Sequence, residues 1–134
     1  MTYKVKSKFI EKGLSSFDLG TEVLKVDVSK ARDENLPGPA ELLLTALSSC
    51  ILKNVERFSE ILKFYYEEVR VEMEADRQES PPKFIEIRYK VILKTTEDQH
   101  RVDLLHKNIK KFGTVYNSLS EEININGSIE RILT

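Results

Sequence analysis

One stretch constrains the fold of this chain more than any other. Residues 42–52 have helix-forming composition and are apolar on almost every side, interrupted only by Thr45, Ser48 and Ser49. A helix that is apolar all round must be covered all round, and one small sheet covers a single face. The sequence therefore predicts a homodimer in which a second subunit covers the remaining faces of this helix.

The helix is predicted to run over residues 39–64 and to change character after Lys53. In its second half, Ile51, Val55, Phe58 and Leu62 form one apolar stripe, and charged side chains lie elsewhere, at Glu56, Arg57, Glu60 and Lys63. This spacing is typical of an amphipathic helix on a protein surface. We therefore expect a buried first half and a half-exposed second half.

The segment before the helix shows the alternation of short strands. Apolar and polar side chains alternate over residues 3–9 and 23–28, and Gly13 and Gly20 mark breaks between strands. The period of two predicts half-buried strands with their lysines in water. Residues 29–37 show neither period and are predicted to be a connecting loop.

The segment after the helix predicts a hairpin, more helix and a last strand. Alternation over residues 69–75 and 85–93 indicates a long antiparallel hairpin with one wet face, and helical spacing over residues 102–112 indicates a helix that ends at Gly113. A short segment and a strand over residues 123–130 follow. The predicted order is βββ-α-ββ-α-α-β, an α+β fold in one domain of 134 residues.

Composition narrows the possible partners. The chain carries 21 basic and 22 acidic residues, a net charge of −1, so nothing in it favours nucleic acid. No apolar run approaches the ~18 residues of a membrane span, and the amino terminus alternates instead of forming a signal peptide. We expect a cytoplasmic protein that binds neither nucleic acid nor membranes.

The single cysteine, Cys50, is the candidate nucleophile, although a lone cysteine in an apolar helix is often a small core residue. A reactive thiolate would need a basic side chain from another element or subunit.

The remaining titratable residues suggest structural roles. Glu41 lies nine residues before Cys50, on the opposite side of a regular helix, where it would complement the helix dipole. His100 and His106 are predicted to lie on the surface. One cysteine and two histidines predict no disulfide, no metal and no cofactor.

Residues 38–50 read Gly-Pro-Ala-Glu-Leu-Leu-Leu-Thr-Ala-Leu-Ser-Ser-Cys, which resembles the signature of the OsmC/Ohr family. The likeness continues through Pro81-Pro82, through residues 112–115 and through the closing strand, residues 122–132. The Pro-x-Glu-Leu start of the helix is most similar to the YhfA-like branch.

This resemblance implies an OsmC-like fold: an intertwined homodimer with a long central helix packed on antiparallel sheet and active sites at the subunit interface. It also implies that Cys50 is peroxidatic and attacks an organic hydroperoxide to give an alcohol and a sulfenic acid. In the family, a second cysteine then resolves the sulfenic acid as a disulfide.

The chain departs from the family pattern around this cysteine. Gly113 stands at the position of the resolving cysteine, and Ala40 matches the family's glutamate, with Glu41 beside it. The family's arginine comes from the amino-terminal strands, where Lys12 and Arg32 are the nearby substitutes. Further candidate binding residues are Glu41, Gly113 and Tyr116.

Two functions follow from this pattern. The first is a one-cysteine thiol peroxidase that acts on organic hydroperoxides through Cys50 and depends on an external thiol reductant. The second is a non-catalytic dimer that binds an apolar or acyl-like ligand in an interface pocket, with Cys50 in its wall.

Overall fold

The computed structural model describes residues 1–20, 22–31 and 35–133. Six strands and three helices occur in this part of the chain, and they follow the predicted order βββ-α-ββ-α-α-β. The chain divides into two compact units, an N-terminal unit of residues 1–43 and a C-terminal unit of residues 44–134. No helix in the described ranges is long and apolar enough to span a bilayer.

The N-terminal unit contains a three-stranded antiparallel meander. Its strands are β1 (Lys6–Glu11), β2 (Leu14–Asp18) and β3 (Val23–Asp27), paired in the order β1-β2-β3. Gly13 closes the first turn with a φ of +83°, a conformation that glycine adopts without steric cost. The prediction of a half-buried first strand is wrong for this chain, because all six residues of β1 are exposed.

Helix α1 (Pro39–Leu62) begins with a capping interaction. The backbone N–H of Gly38 donates to Oε1 of Glu41 at 2.8 Å, and the N–H of Leu42 donates to the carbonyl of Gly38 at 3.1 Å. A carboxylate in the first turn satisfies a backbone donor that has no partner within the helix and also complements the helix dipole. The Glu41 side chain therefore stabilises the start of the helix.

The C-terminal unit contains a mixed sheet. Strands β4 (Glu68–Glu79) and β5 (Pro82–Lys94) form the predicted antiparallel hairpin. Strand β6 (Asn124–Ile132) pairs with β5 in parallel, so the expectation of a purely antiparallel sheet is wrong at this edge. The connection from β5 to β6 passes through two helices, and a crossover of that length permits parallel pairing.

Those two helices are α2 (Gln99–Phe112) and α3 (Thr114–Ser120). Asp98 caps α2 by accepting from the N–H of Arg101, whose own guanidinium donates to the carbonyl of Leu62 at 2.6 Å. This contact satisfies a backbone acceptor at the end of α1 and ties α2 to that end. Helix α1 ends two residues earlier than predicted, and Lys63 turns the chain with a φ of 51°.

The core of the C-terminal unit lies between α1, the sheet and α2. Its twelve buried hydrophobic residues are Leu47, Ile51, Val55, Phe58, Phe64, Ile87, Tyr89, Val91, Leu93, Val102, Leu105 and Ile109. Only one stripe of α1 contributes to this core, because Ala46 and Leu52 are exposed. The covering of that second face by another subunit stays a prediction.

Candidate functional site

Cys50 lies on α1 with a free, half-buried thiol. The amide of Asn54, one turn later on the same helix, points its Nδ2 toward the Cys50 Sγ at 4.0 Å. Asn54 is 5% exposed, so this neutral donor is held beside the sulfur within the protein. Asn54 was not among the residues predicted from the sequence, although residues four apart on a helix are neighbours and this spacing could have identified it.

Gly113, between α2 and α3, packs directly against this sulfur. A Cβ added at position 113 would lie 3.0 Å from the Cys50 Sγ, 3.0 Å from the Tyr116 Cβ and 3.2 Å from the Asn54 Nδ2. A side chain at this position would therefore fit only if its neighbours moved by a few tenths of an ångström. The structure brings together three of the residues selected from the sequence, namely Cys50, Gly113 and Tyr116.

A buried tyrosine–histidine pair lies behind Tyr116. The Tyr89 hydroxyl and the His106 Nε2 are hydrogen-bonded at 2.7 Å, and the Tyr89 and Tyr116 rings meet edge to face with centroids 6.3 Å apart. A Cβ at Gly127, which pairs with Tyr89 across the sheet, would lie 1.8 Å from the Tyr89 Cζ. The missing side chain at Gly127 therefore makes room for the Tyr89 ring.

The prediction that His106 lies on the surface is wrong. His106 is 9% exposed, because it shares the buried face of α2 with Val102, Leu105 and Ile109. The spacing of four residues from Val102 to His106 was the signal for this burial. His100 is exposed, as predicted.

The buried pair is electrically neutral. Burial lowers the pKa of His106 to about 4, and Lys110 acts in the same direction while Asp103 opposes it. Burial also raises the pKa of Tyr89, with a further contribution from the neighbouring Tyr116, and it raises the pKa of Tyr116 itself. At neutral pH the imidazole and both hydroxyls therefore carry no charge, so this cluster supplies no cation to the Cys50 thiol.

The other predicted site residues belong to the N-terminal unit. Lys12 is exposed in the turn between β1 and β2, and Glu41 caps α1. Arg32 lies outside the described residues. Over the described ranges, no three His, Cys, Asp or Glu side chains converge on a position that could hold a metal ion.

Comparison with known proteins assigns the family. Residues 31–128 match the sequence model described as OsmC-like protein, which is most of the chain. The chain belongs to this family. Among curated proteins, none matches the sequence of this OsmC-like protein.

Solved structures share the fold over nearly the whole length. An OsmC-like protein from Mycoplasma pneumoniae has a TM-score of 0.90 and 13% identity, covering 98% of both chains. An organic hydroperoxide resistance protein from Elizabethkingia anophelis has a TM-score of 0.80 and 12% identity, covering 98% of this chain and 99% of that one. The organic hydroperoxide resistance protein OhrB of Bacillus subtilis has a TM-score of 0.69 and 15% identity, covering 97% of this chain and 98% of that one. These likenesses confirm the predicted OsmC-like fold, while the YhfA-like branch stays a prediction.

Proposed function

We propose that this OsmC-like protein reduces organic hydroperoxides through Cys50 and depends on an external thiol for each turnover. The observation that carries the proposal is the half-buried Cys50 thiol packed against Gly113, at the position where the family places a second cysteine. Two structures with the same fold are named organic hydroperoxide resistance proteins, which supports a role of this kind.

The proposed reaction balances without a cofactor. The Cys50 sulfur attacks one peroxide oxygen, the O–O bond breaks and an S–O bond forms, and the leaving alkoxide takes a proton to become an alcohol. The first external thiol then attacks the sulfenic sulfur and releases water, which leaves a mixed disulfide. A second thiol releases Cys50 and forms the external disulfide. One hydroperoxide and two thiols thus become one alcohol, one water and one disulfide.

External thiols are required because the chain contains a single cysteine. The Asn54 amide supplies one neutral donor beside the sulfur. A peroxidatic thiolate is also stabilised by positive charge, and Lys12 or Arg32 stay the proposed sources of that charge. Glu41, Gly113 and Tyr116 stay proposed binding residues.

We also propose that the active form is a cytoplasmic homodimer. Ala46 and Leu52 on α1 are exposed, and so are Phe9 and Val23 in the N-terminal sheet. Burial of such apolar surface against a second copy is favourable, and two-fold dimers are the commonest soluble oligomers. Sedimentation at micromolar concentration tests this directly, because a single 15.5 kDa species would contradict it.

A turnover assay tests the activity. The protein is mixed with cumene hydroperoxide and a monothiol, and peroxide consumption is followed with and without the thiol. We expect sustained consumption only when thiol is present, and none with Cys50→Ser, which keeps the size of the side chain but removes the nucleophile. Equal consumption by the wild type and by Cys50→Ser would contradict the proposal.

Gly113→Cys provides a sharper arm of the same assay. From the S–S bond length of about 2.04 Å, the Cβ of one half-cystine lies about 3.0 Å from the sulfur of the other, and the added Cβ at position 113 lies 3.0 Å from the Cys50 Sγ. We expect peroxide to produce an intrachain disulfide in this variant, a loss of two hydrogen masses. Gly113→Ser is the matched control and should form none.

The second candidate function is ligand binding without catalysis. It is favoured by a cleft of about 710 Å³ in the N-terminal unit, whose lining includes Phe9 and Val28 together with Lys12, Lys30 and the carboxylate of Glu11. Apolar walls with one more cationic than anionic group fit an acyl chain that ends in a carboxylate. Saturable binding of a fluorescent fatty acid by wild type and by Cys50→Ser alike, without peroxide turnover, would favour this candidate.

A further inference from the structure

A series of neighbouring residues leads from the interior of the C-terminal unit toward the sulfur of Cys50. It begins at the 2.7 Å hydrogen bond between Tyr89 and His106 and continues through the edge-to-face contact of Tyr89 with Tyr116. Gly113 lies between Tyr116 and the sulfur, because a Cβ added to Gly113 would lie 3.0 Å from the Tyr116 Cβ and 3.0 Å from the Cys50 Sγ. The placement of Tyr116 therefore bears on how Gly113 packs against the sulfur.

Helix α3 depends on such contacts for its placement. It has seven residues and no fully buried side chain, and helices this short are marginal without tertiary support. Val115, Tyr116 and Leu119 pack against the core while still partly exposed. Tyr116 meets Tyr89 of the buried polar pair edge to face, so it connects α3 to that pair.

The Tyr89 ring has little freedom of its own. It packs over Gly127, where it fills the space left by the missing side chain, it meets the rings of Tyr116 and His106 edge to face, and it is only 4% exposed. Because the ring is enclosed, the hydrogen bond to His106 selects one position for the hydroxyl. Removal of either partner would leave the other buried polar group without this bond and would favour a shift of Tyr116, which lies edge to face with Tyr89 and also hydrogen-bonds to it.

We propose that Tyr89 and His106 are positioning residues for the Cys50 site. Their hydrogen bond fixes Tyr116, Tyr116 fixes the start of α3, and Gly113 is thereby held against the sulfur beside the Asn54 amide. The effect on peroxide reduction rests on the proposed function. The effect on access to the sulfur does not.

Four variants test this proposal. Tyr89→Phe and His106→Leu remove the hydrogen bond, while His106→Gln keeps a polar group near the place of Nε2. His100→Leu is the matched control, since it changes an exposed histidine on the same helix. For each variant, intact-mass kinetics give the rate of Cys50 alkylation by iodoacetamide and the rate of its oxidation by cumene hydroperoxide, without added thiol.

We expect the two rates to move in opposite directions when the bond is lost. In Tyr89→Phe and His106→Leu, alkylation should become about threefold faster because the sulfur is less tightly covered. Oxidation should become about tenfold slower because the reacting groups are less well aligned. His106→Gln and His100→Leu should stay near the wild type. General destabilisation would instead raise both rates, because unfolding exposes the sulfur to both reagents.

Unchanged rates in both Tyr89→Phe and His106→Leu would overturn the positioning role and leave the proposed function standing, as long as hydroperoxide oxidises the wild type. Failure of His106→Gln to restore the wild-type rates would also overturn it. If hydroperoxide does not oxidise the wild type, the proposed function fails, and the alkylation rates alone decide the positioning role.

Discussion

The two compact units of this chain bury their apolar side chains to very different extents. In the described part of the N-terminal unit, Val26 is the one buried hydrophobic residue, while Phe9 is 76% exposed and Val23 66%. Thirteen buried hydrophobic residues belong to the described part of the C-terminal unit. The C-terminal unit thus builds a core from its own residues, whereas the N-terminal sheet exposes apolar side chains, a surface that fits the proposed dimer.

The difference also separates the parts of the proposed active site. Cys50, Asn54, Gly113 and Tyr116 belong to the well-packed C-terminal unit, where their contacts are fixed by the core. Lys12, a proposed basic partner of the thiolate, belongs to the unit with the exposed sheet. The contrast between the units is therefore the feature to test by mutation.

The largest effect is expected from Leu47→Asp in the C-terminal core. Leu47 is fully buried, and an unpaired charge at this position costs several kcal/mol, against a net stability of about 5–15 kcal/mol for a small domain. We expect no soluble folded protein, as measured by expression and circular dichroism. Glu60→Ala, at an exposed position on the same helix, should be nearly silent, and similar behaviour of the two variants would contradict the division of α1 into buried and exposed positions.

A smaller loss of stability is expected from Gly127→Ala. The new Cβ would lie 1.8 Å from the Tyr89 Cζ, so the ring must move and its bond to His106 must weaken. We expect a destabilisation of about 3 kcal/mol, measured by urea unfolding. Ser128→Ala, the next residue along β6 and exposed, is the control. Equal unfolding midpoints for the two variants would show that Tyr89 does not pack over Gly127 in solution.

Stability should also depend on pH through His106. Its folded-state pKa of about 4 lies below the ordinary value of 6.5, so the unfolded chain binds the proton more tightly. The neutral imidazole contributes fully to the free energy of unfolding above pH 6.5, and this contribution is lost as the pH falls to 4. Between these pH values we expect the free energy of unfolding of the wild type to fall by about 2 kcal/mol more than that of His106→Gln, measured by urea unfolding at each pH. Parallel pH profiles would contradict the burial of His106.

The smallest effect on stability is expected from Phe9→Ser in the N-terminal sheet. Because Phe9 is mostly exposed within one chain, its replacement should change the free energy of unfolding of the monomer by no more than about 0.5 kcal/mol, measured by urea unfolding at a concentration where wild type and variant are both monomeric. If a second copy covers this sheet, the same variant should move the protein from dimer to monomer in sedimentation velocity. A dimer that is as tight as the wild type would show that Phe9 lies outside the interface.

The elements with strong periodicity were predictable from the sequence. The hairpin of β4 and β5, the amphipathic half of α1 and the end of α2 at Gly113 are confirmed, because local side-chain alternation and helix-stop signals determine them. The direction of β6 was not predictable in this way, since alternation is the same in parallel and antiparallel strands. The exposure of β1 depends on what covers the sheet, which no local pattern encodes.

The site was only partly predictable for the same reason. The family signature pointed to Cys50 and Gly113, which the structure places in contact. Tyr89 and His106 meet only after the sheet and α2 have packed, and they lie 17 positions apart in the sequence. The role of Gly127 likewise depends on the register between two strands that are far apart in the chain. Such residues have no local pattern of their own.

The central claim, that Cys50 is a peroxidatic thiol without a resolving partner, is tested most directly by intact-mass analysis after one equivalent of cumene hydroperoxide in the presence of dimedone. We expect one dimedone adduct per chain on Cys50, none on Cys50→Ser, and a shift to the sulfinic acid when peroxide is in excess and dimedone is omitted. An unmodified chain, together with iodoacetamide reacting with Cys50 no faster than with an unfolded cysteine at neutral pH, would contradict it.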